Sequence, residues 1–195
     1  MRSIILTATI LFAFSACNSP KSGNPHIEIQ TQYGDIELEL YPQQAPKSVT
    51  AFLSYVDSGY YKNTSFYRAL NDQNQPMGAA ETQLIQGGLW GTDEKRGRQI
   101  PTIPHETTKQ TGITHNDGTI SLARQAPGTA STEFFICIGS QPRFDYGGVT
   151  HADSVGYAAF GKVVKGMDIV KKIHRQPIKS ELFYPHIFIR DIVRL

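Results

Sequence analysis

Histidines and paired glycines are the residues in this sequence whose spacing could indicate metal or phosphate chemistry. The six histidines show neither His-x-x-x-His spacing nor a Cys-x-x-Cys partner, so solvated or core histidines are favoured over a metal site. The pairs Gly87-Gly88 and Gly147-Gly148 are not followed by the lysine of a phosphate loop, and tight turns would explain them. We therefore expect no metal and no cofactor.

Cys17 follows a segment that could direct covalent lipid attachment. Residues 4–14 form an almost wholly apolar run after the positive charge of Arg2, which is typical of a secretory signal and too short to span a bilayer. The sequence Phe14-Ser15-Ala16-Cys17 resembles a bacterial lipobox, in which the cysteine is acylated after cleavage. We predict a signal peptide over residues 1–16 and a lipidated cysteine with a polar tether over 17–25. The alternative is an ordinary signal peptide whose cysteine is incidental.

Composition limits the class of protein. The chain has 195 residues, 39% of them apolar, which is too apolar and too weakly charged for a disordered chain. A net charge of +2 gives no basic excess, and residues 93–98 form a mixed charged loop, so we expect no nucleic-acid partner. Residues 26–195 contain no internal repeat and no composition break, and we interpret them as one domain. Cys137 lies in an apolar stretch and is expected to be a buried, inert thiol.

Hydrophobic periodicity predicts mostly strands. Residues 26–41 alternate apolar and polar positions about Tyr33-Gly34-Asp35, which indicates a hairpin. One helix is predicted from Ala45-Pro46-Lys47 to Gly59, and a second, short helix over 167–173. Further strands are predicted at 64–69, 119–123, 133–138, 158–164 and 187–193, with loops at 71–82, 91–104 and 139–156. Separate strands and helices of this kind favour an antiparallel barrel or sandwich capped by helices.

Five stretches, in order, resemble those of a cyclophilin-type peptidyl-prolyl isomerase. They are Phe66-Tyr67-Arg68, Leu84-Ile85-Gln86-Gly87-Gly88, residues 118–124 (GTISLAR), residues 131–136 (STEFFI) and residues 159–167 (AFGKVVKGM). The resemblance implies a mainly β fold, namely a closed eight-stranded antiparallel barrel capped by two α-helices, with a substrate groove on its outer face. It implies acceleration of X-Pro isomerisation without a cofactor.

The resemblance also implies the site residues. Arg68 corresponds to the catalytic arginine, Gln86 to a glutamine that orients it, and Phe135 to the floor of the proline pocket. Ala123 and Arg124 correspond to the strand along which the peptide lies. The substrate-binding residues predicted in this way are Gln83, Leu84, Ala123, Arg124, Glu133, Phe144 and Tyr157.

Several positions differ from the eukaryotic pattern of that family. Tyr67 and Tyr157 replace histidines, Gln83 replaces an aromatic residue of the rim, and Glu133 replaces a glutamine. Arg143 stands at the rim tryptophan often linked to cyclosporin binding, so we expect poor cyclosporin sensitivity. If the Glu133 carboxylate pairs directly with Arg68, the arginine is partly occupied before substrate arrives.

The prediction is a monomeric, lipid-anchored isomerase in a bacterial cell envelope, facing the periplasm, that acts on proline-containing polypeptides during folding of exported proteins. The alternative from another functional class is a non-catalytic proline-peptide-binding or chaperone module that has the barrel but does not accelerate isomerisation.

Overall fold

The computed structural model describes residues 23–75, 81–149 and 152–195. The predicted signal peptide, Cys17 and most of the predicted tether lie outside these residues. Within them, no helix is long and apolar enough to cross a membrane.

The N-terminal hairpin forms as its alternating pattern predicts. Strand β1 (His26–Thr31) pairs with β2 (Gly34–Leu40) in antiparallel register. Ile27 lies opposite Leu38, and both side chains are fully buried. Because side chains alternate between the two faces of a strand, the polar residues between them face outward.

The remaining strands complete a closed barrel. The strands are β3 (Thr64–Leu70), β4 (Leu84–Gly88), β5 (Thr119–Leu122), β6 (Phe134–Cys137), β7 (Ala158–Lys165), β8 (Ile178–Lys179) and β9 (Leu182–Arg194). Their order is β1-β2-β7-β5-β6-β4-β3-β9, and β9 pairs back onto β1, so eight antiparallel strands close and β8 lies outside on β9. The predicted eight-stranded antiparallel barrel is confirmed.

The described residues contain four α-helices, two more than predicted. The two predicted helices are α1 (Pro46–Asp57), which packs against β7 and β9, and α4 (Met167–His174), which packs against β2 and β4. The first helix has no capping side chain at Ala45, and the carboxylate of Glu106 instead accepts hydrogen bonds from the backbone N–H groups of Lys47 and Ser48. That carboxylate satisfies amide donors that have no partner inside the helix.

The two additional helices are α2 (Trp90–Gly97) and α3 (Thr108–Thr111), and α2 corrects the loop predicted over 91–104. None of the α2 residues is buried, so the helix has no apolar stripe that periodicity could detect. A non-helical Asp93 (φ −146°, ψ 68°) also kinks it. Strand β9 likewise begins earlier than the predicted 187–193.

Aromatic side chains fill the interior of the barrel. Phe52 of α1 lies 5.0 Å from Phe160 and 5.7 Å from Phe134, measured between ring centroids. Cys137 is fully buried beside a second cluster, and burial raises the pKa of its thiol. Because the interior is filled, the site must lie on the outside of the barrel, where β3, β4 and β6 are neighbours.

Candidate active site

Strand pairing brings Arg68 and Gln86 together. Arg68 lies on β3 directly opposite Gln86 on β4, and its Nη1 donates a hydrogen bond of 2.8 Å to the Gln86 side-chain oxygen. Phe66 points into the barrel and is fully buried, whereas the Arg68 side chain is 30% exposed on the outside. The predicted pairing of the arginine with its glutamine is therefore present in the geometry.

A second group, Glu181, holds Arg68 from the other side. Nε of Arg68 donates to the Glu181 carboxylate at 2.8 Å. Glu181 lies in the two-residue turn between β8 and β9, and its backbone carbonyl accepts from the N–H of Ala69. Sequence reasoning missed Glu181 because it lies far from Arg68 in the chain. The only available signal was the polar pair Ser180-Glu181 between Ile178 and Leu182, which is typical of a short hairpin turn.

Glu133 does not pair directly with Arg68 in the described structure. Its carboxylate accepts hydrogen bonds from the Tyr67 hydroxyl (2.7 Å), the Trp90 N–H (3.0 Å) and the Thr132 hydroxyl (3.1 Å). Burial raises the pKa of Glu133, and the hydrogen bond from Tyr67 is the largest of the effects opposing it. The carboxylate that pairs with Arg68 is therefore Glu181, and the pairing considered for Glu133 is not formed.

The residues predicted to form the proline pocket lie in one aromatic cluster beside Gln86. Phe135 on β6 lies opposite Gln86 in the β4–β6 register. Its ring centroid lies 5.4 Å from Phe144 and 5.0 Å from Tyr157, both in edge contacts, and Leu84 packs in the same cluster. An apolar wall of this kind suits the ring of a proline.

A buried histidine beneath the pocket was missed by sequence reasoning. The His115 ring stacks on Phe135 at 6.0 Å with an interplanar angle of 13°. Its Nδ1 lies 2.7 Å from Asp145 Oδ1, and its Nε2 lies 3.0 Å from the Ser121 hydroxyl. Ser121 is fully buried, so this Ser-His-Asp arrangement supports the pocket floor and does not meet substrate. A lone histidine without motif spacing gave no signal for this role.

Ala123 and Arg124 lie just beyond β5 rather than on it, because the strand ends at Leu122. The N–H of Ala123 donates to the carbonyl of Glu133 and is therefore already used within the protein. Arg124 forms two hydrogen bonds of 2.9 Å with Asp153, and its side chain is fully buried. Both residues line a cavity of about 590 Å³ that also contacts Arg68 and Gln86.

Of the predicted substrate-binding residues, Ala123, Arg124 and Glu133 line this cavity, whereas Leu84, Phe144 and Tyr157 lie in the Phe135 cluster and do not line it. Gln83 lies at neither place. It lines a separate surface depression of about 440 Å³ together with Asp117 and Lys171. The reason is strand alternation: Leu84 and Gln86 share the outer face of β4, and Gln83 is one residue out of phase with them. In the described part of the chain, no group of three or more His, Cys, Asp or Glu residues could hold a metal ion.

A closed antiparallel barrel that carries an arginine beside an aromatic pocket on its outer face is the arrangement of a proline-peptide isomerase. The chain belongs to the cyclophilin family, since the family model described as "Cyclophilin type peptidyl-prolyl cis-trans isomerase/CLD" matches residues 26–193. It is accordingly an enzyme that interconverts cis and trans X-Pro bonds.

Individual relatives agree with this assignment. The chain is 33% identical over 190 residues to peptidyl-prolyl cis-trans isomerase A of Dickeya dadantii, covering 97% of this chain and 91% of the relative. It is 35% identical to a peptidyl-prolyl cis-trans isomerase of Acinetobacter baylyi, covering 80% and 76%. A crystal structure of a Cryptosporidium parvum cyclophilin-type isomerase superposes with a TM-score of 0.67 at 27% identity, covering 88% of this chain and 97% of that chain.

Proposed function

We propose that Arg68 is the catalytic group and that the cluster around Phe135 holds the proline ring. An X-Pro bond must cross a barrier of about 18–20 kcal/mol because the planar amide loses resonance when it twists. The twisted nitrogen regains a lone pair. A fixed cationic donor near that nitrogen binds the transition state better than either planar state, which lowers the barrier.

The observation that carries this proposal is the bonding of the Arg68 guanidinium. Gln86 accepts from Nη1 and Glu181 from Nε. Across residues 23–75, 81–149 and 152–195, Nη2 donates no hydrogen bond, so this nitrogen is available to a bound peptide. Arginine suits the role because it stays charged and its donors are held in a rigid plane.

A proline-peptide isomerisation assay on the full chain tests this role. We expect Arg68→Ala to lower kcat/KM by about 100-fold or more, the loss typical of removing a preorganised transition-state donor. Arg68→Lys keeps the charge without the planar fork and should lose most of the rate. An Arg68→Ala variant with wild-type activity would refute the role. A wild-type chain that runs at the uncatalysed rate would instead favour the non-catalytic binding module.

The location remains a separate proposal. We infer that Cys17 is acylated and anchors the domain in a bacterial envelope, facing the periplasm, where its substrates would be exported proteins during folding. Residues 18–25 would provide a tether of roughly 25–30 Å at the extended length of about 3.3–3.6 Å per residue. Mass spectrometry of the amino terminus after expression in a bacterium should find acyl chains on Cys17 and none in Cys17→Ser. An unmodified Cys17 would contradict the anchor.

We also propose that the domain acts as a monomer, because Arg68, Gln86 and the Phe135 cluster all come from one chain. Light scattering of the purified chain in detergent should give the mass of one protomer.

A further inference from the structure

A bulge in β3 places two side chains against Gln86 instead of one. The register advances two residues on β3, from Phe66 to Arg68, while it advances one on β4, from Gly87 to Gln86. Tyr67 and Arg68 therefore both face Gln86, in the way that bulges re-aim side chains beside active sites.

Gln86 uses both ends of its amide in this arrangement. Its oxygen accepts from Arg68 Nη1 at 2.8 Å, and its Nε2 donates to the Tyr67 hydroxyl oxygen at 2.6 Å. The Tyr67 hydroxyl then donates to Glu133 Oε2 at 2.7 Å. A chain of three hydrogen bonds thus runs from the guanidinium to a carboxylate.

Every bond in this chain must run in the same direction. Arginine can only donate at one end, and an ionised carboxylate can only accept at the other. The Trp90 backbone N–H, which also can only donate, occupies the second carboxylate oxygen of Glu133. If the chain reversed, Gln86 would turn its NH₂ group toward Arg68 and set two donors against each other.

We propose that Tyr67 and Glu133 are positioning residues of the isomerase: they fix the Gln86 amide with its oxygen toward Arg68 and so hold the guanidinium in its catalytic orientation. This inference rests on the role of Arg68 proposed above. It moves Glu133 from the predicted substrate contact to a residue that acts through Tyr67 and Gln86.

The residues around this hydrogen-bond chain favour the same arrangement. Tyr67 is 4% exposed, and burial raises the pKa of its hydroxyl well above the ordinary range, so it remains a donor. Gly88 leaves the space that the Glu133 carboxylate fills, since a Cβ there would lie 2.6 Å from it. The Trp90 ring covers Tyr67 at a centroid distance of 5.0 Å.

The test compares two buried tyrosines by the same substitution. Tyr67→Phe removes the hydroxyl that links Gln86 to Glu133. Tyr61→Phe removes a fully buried hydroxyl that donates to the Thr132 carbonyl and is not part of the hydrogen-bond chain from Arg68 to Glu133. We expect Tyr67→Phe to lower kcat about five- to tenfold with KM within about twofold, since one directional hydrogen bond is worth that much. Tyr61→Phe should keep kcat within about twofold of wild type.

Glu133→Gln tests whether the direction of the hydrogen bonds between Arg68 and Glu133 matters, rather than whether the bonds are present. The amide offers one acceptor oxygen where the carboxylate offers two, so its NH₂ must face either Tyr67 or Trp90. We expect kcat to fall as in Tyr67→Phe. In the double variant Tyr67→Phe/Glu133→Gln, the loss should be far less than the product of the single losses, because the same link is already broken.

Three results would overturn the inference. They are a kcat within twofold of wild type for both Tyr67→Phe and Glu133→Gln, a rise in KM with unchanged kcat, which would return Glu133 to substrate contact, or an equal loss of kcat in Tyr61→Phe. Failure of the proposed function is recognised separately, since it would show as an Arg68→Ala variant as active as wild type.

Discussion

Arg68 is a cation with two fixed acceptors, Gln86 and Glu181, and within the described residues its third nitrogen donates no hydrogen bond, which is the nitrogen we propose for substrate. The two acceptors do different things. The amide of Gln86 orients the guanidinium without changing its charge, whereas the carboxylate of Glu181 also offsets that charge. The Glu181 side chain is 44% exposed, so solvent weakens this offset.

Replacing Glu181 with glutamine should separate orientation from charge. The amide oxygen of Glu181→Gln can still accept from Arg68 Nε, while the opposing charge is lost. We expect kcat to rise, by no more than about fivefold, because exposed ion pairs are worth roughly 0.2–1 kcal/mol. Asp57→Asn is the matched control, since Asp57 pairs with Arg194 on α1 and β9 and should leave kcat unchanged. A fall in kcat for Glu181→Gln would show that the carboxylate assists the reaction.

Glu133 gives a pH-dependent prediction for stability. Its pKa in the folded protein is raised above the ordinary value of 4.5, chiefly by burial, so the folded state holds this proton more tightly than the unfolded state. Stability from this group therefore increases as the pH falls from above the folded pKa toward about 4.5 and changes no further below it. Urea unfolding of wild type and Glu133→Gln at several pH values should show wild type gaining relative stability over that window. A constant or opposite difference would contradict the raised pKa.

Strand β4 is the element on which the site depends. It carries Leu84 and Gln86 on one face and ends in Gly87-Gly88, which was expected to form a tight turn but lies within the strand. Close approach explains the glycine instead: Gly88 has φ +144° and faces the Glu133 carboxylate.

Gly88→Ala should therefore be costly for two reasons, a strained backbone and a clash with Glu133. We expect the free energy of unfolding to fall by about 2 kcal/mol or more. Gly139→Ala is the control, because Gly139 also has a positive φ (+69°) but a Cβ there would meet nothing within 4 Å. That variant should lose only about 1 kcal/mol, the cost of backbone strain alone. Equal losses in thermal or urea unfolding would show that the carboxylate contact does not matter.

At the scale of the whole molecule, local patterns favoured an antiparallel barrel or sandwich, and the family resemblance implied the closed eight-stranded barrel, but neither predicted the long-range contacts. The sequence revealed the period-two alternation of β1 and β2 and the motif around Arg68, because each depends on residues that are neighbours in sequence. It did not reveal helix α2, since that helix buries no residue, or Glu181, which reaches Arg68 only after β9 pairs with β3. The displacement of Gln83 follows from strand phase, which a motif match does not report.

Closure of the barrel is what brings these distant pieces to one site. Strand β9 pairs with β1, β3 and β8, so the C-terminal segment both closes the barrel and delivers Glu181. The role proposed for Arg68 therefore depends on contacts that form only when the barrel closes.

The most direct test is the cis-trans exchange rate of a proline peptide bound to the enzyme, measured by NMR with the enzyme saturated. Measurement of the bound state separates the chemical step from affinity. For Arg68→Ala, the account predicts an exchange rate on the enzyme lower than wild type by about 100-fold or more, with peptide affinity changed only a fewfold. An unchanged exchange rate on the enzyme would contradict it, whatever happened to binding.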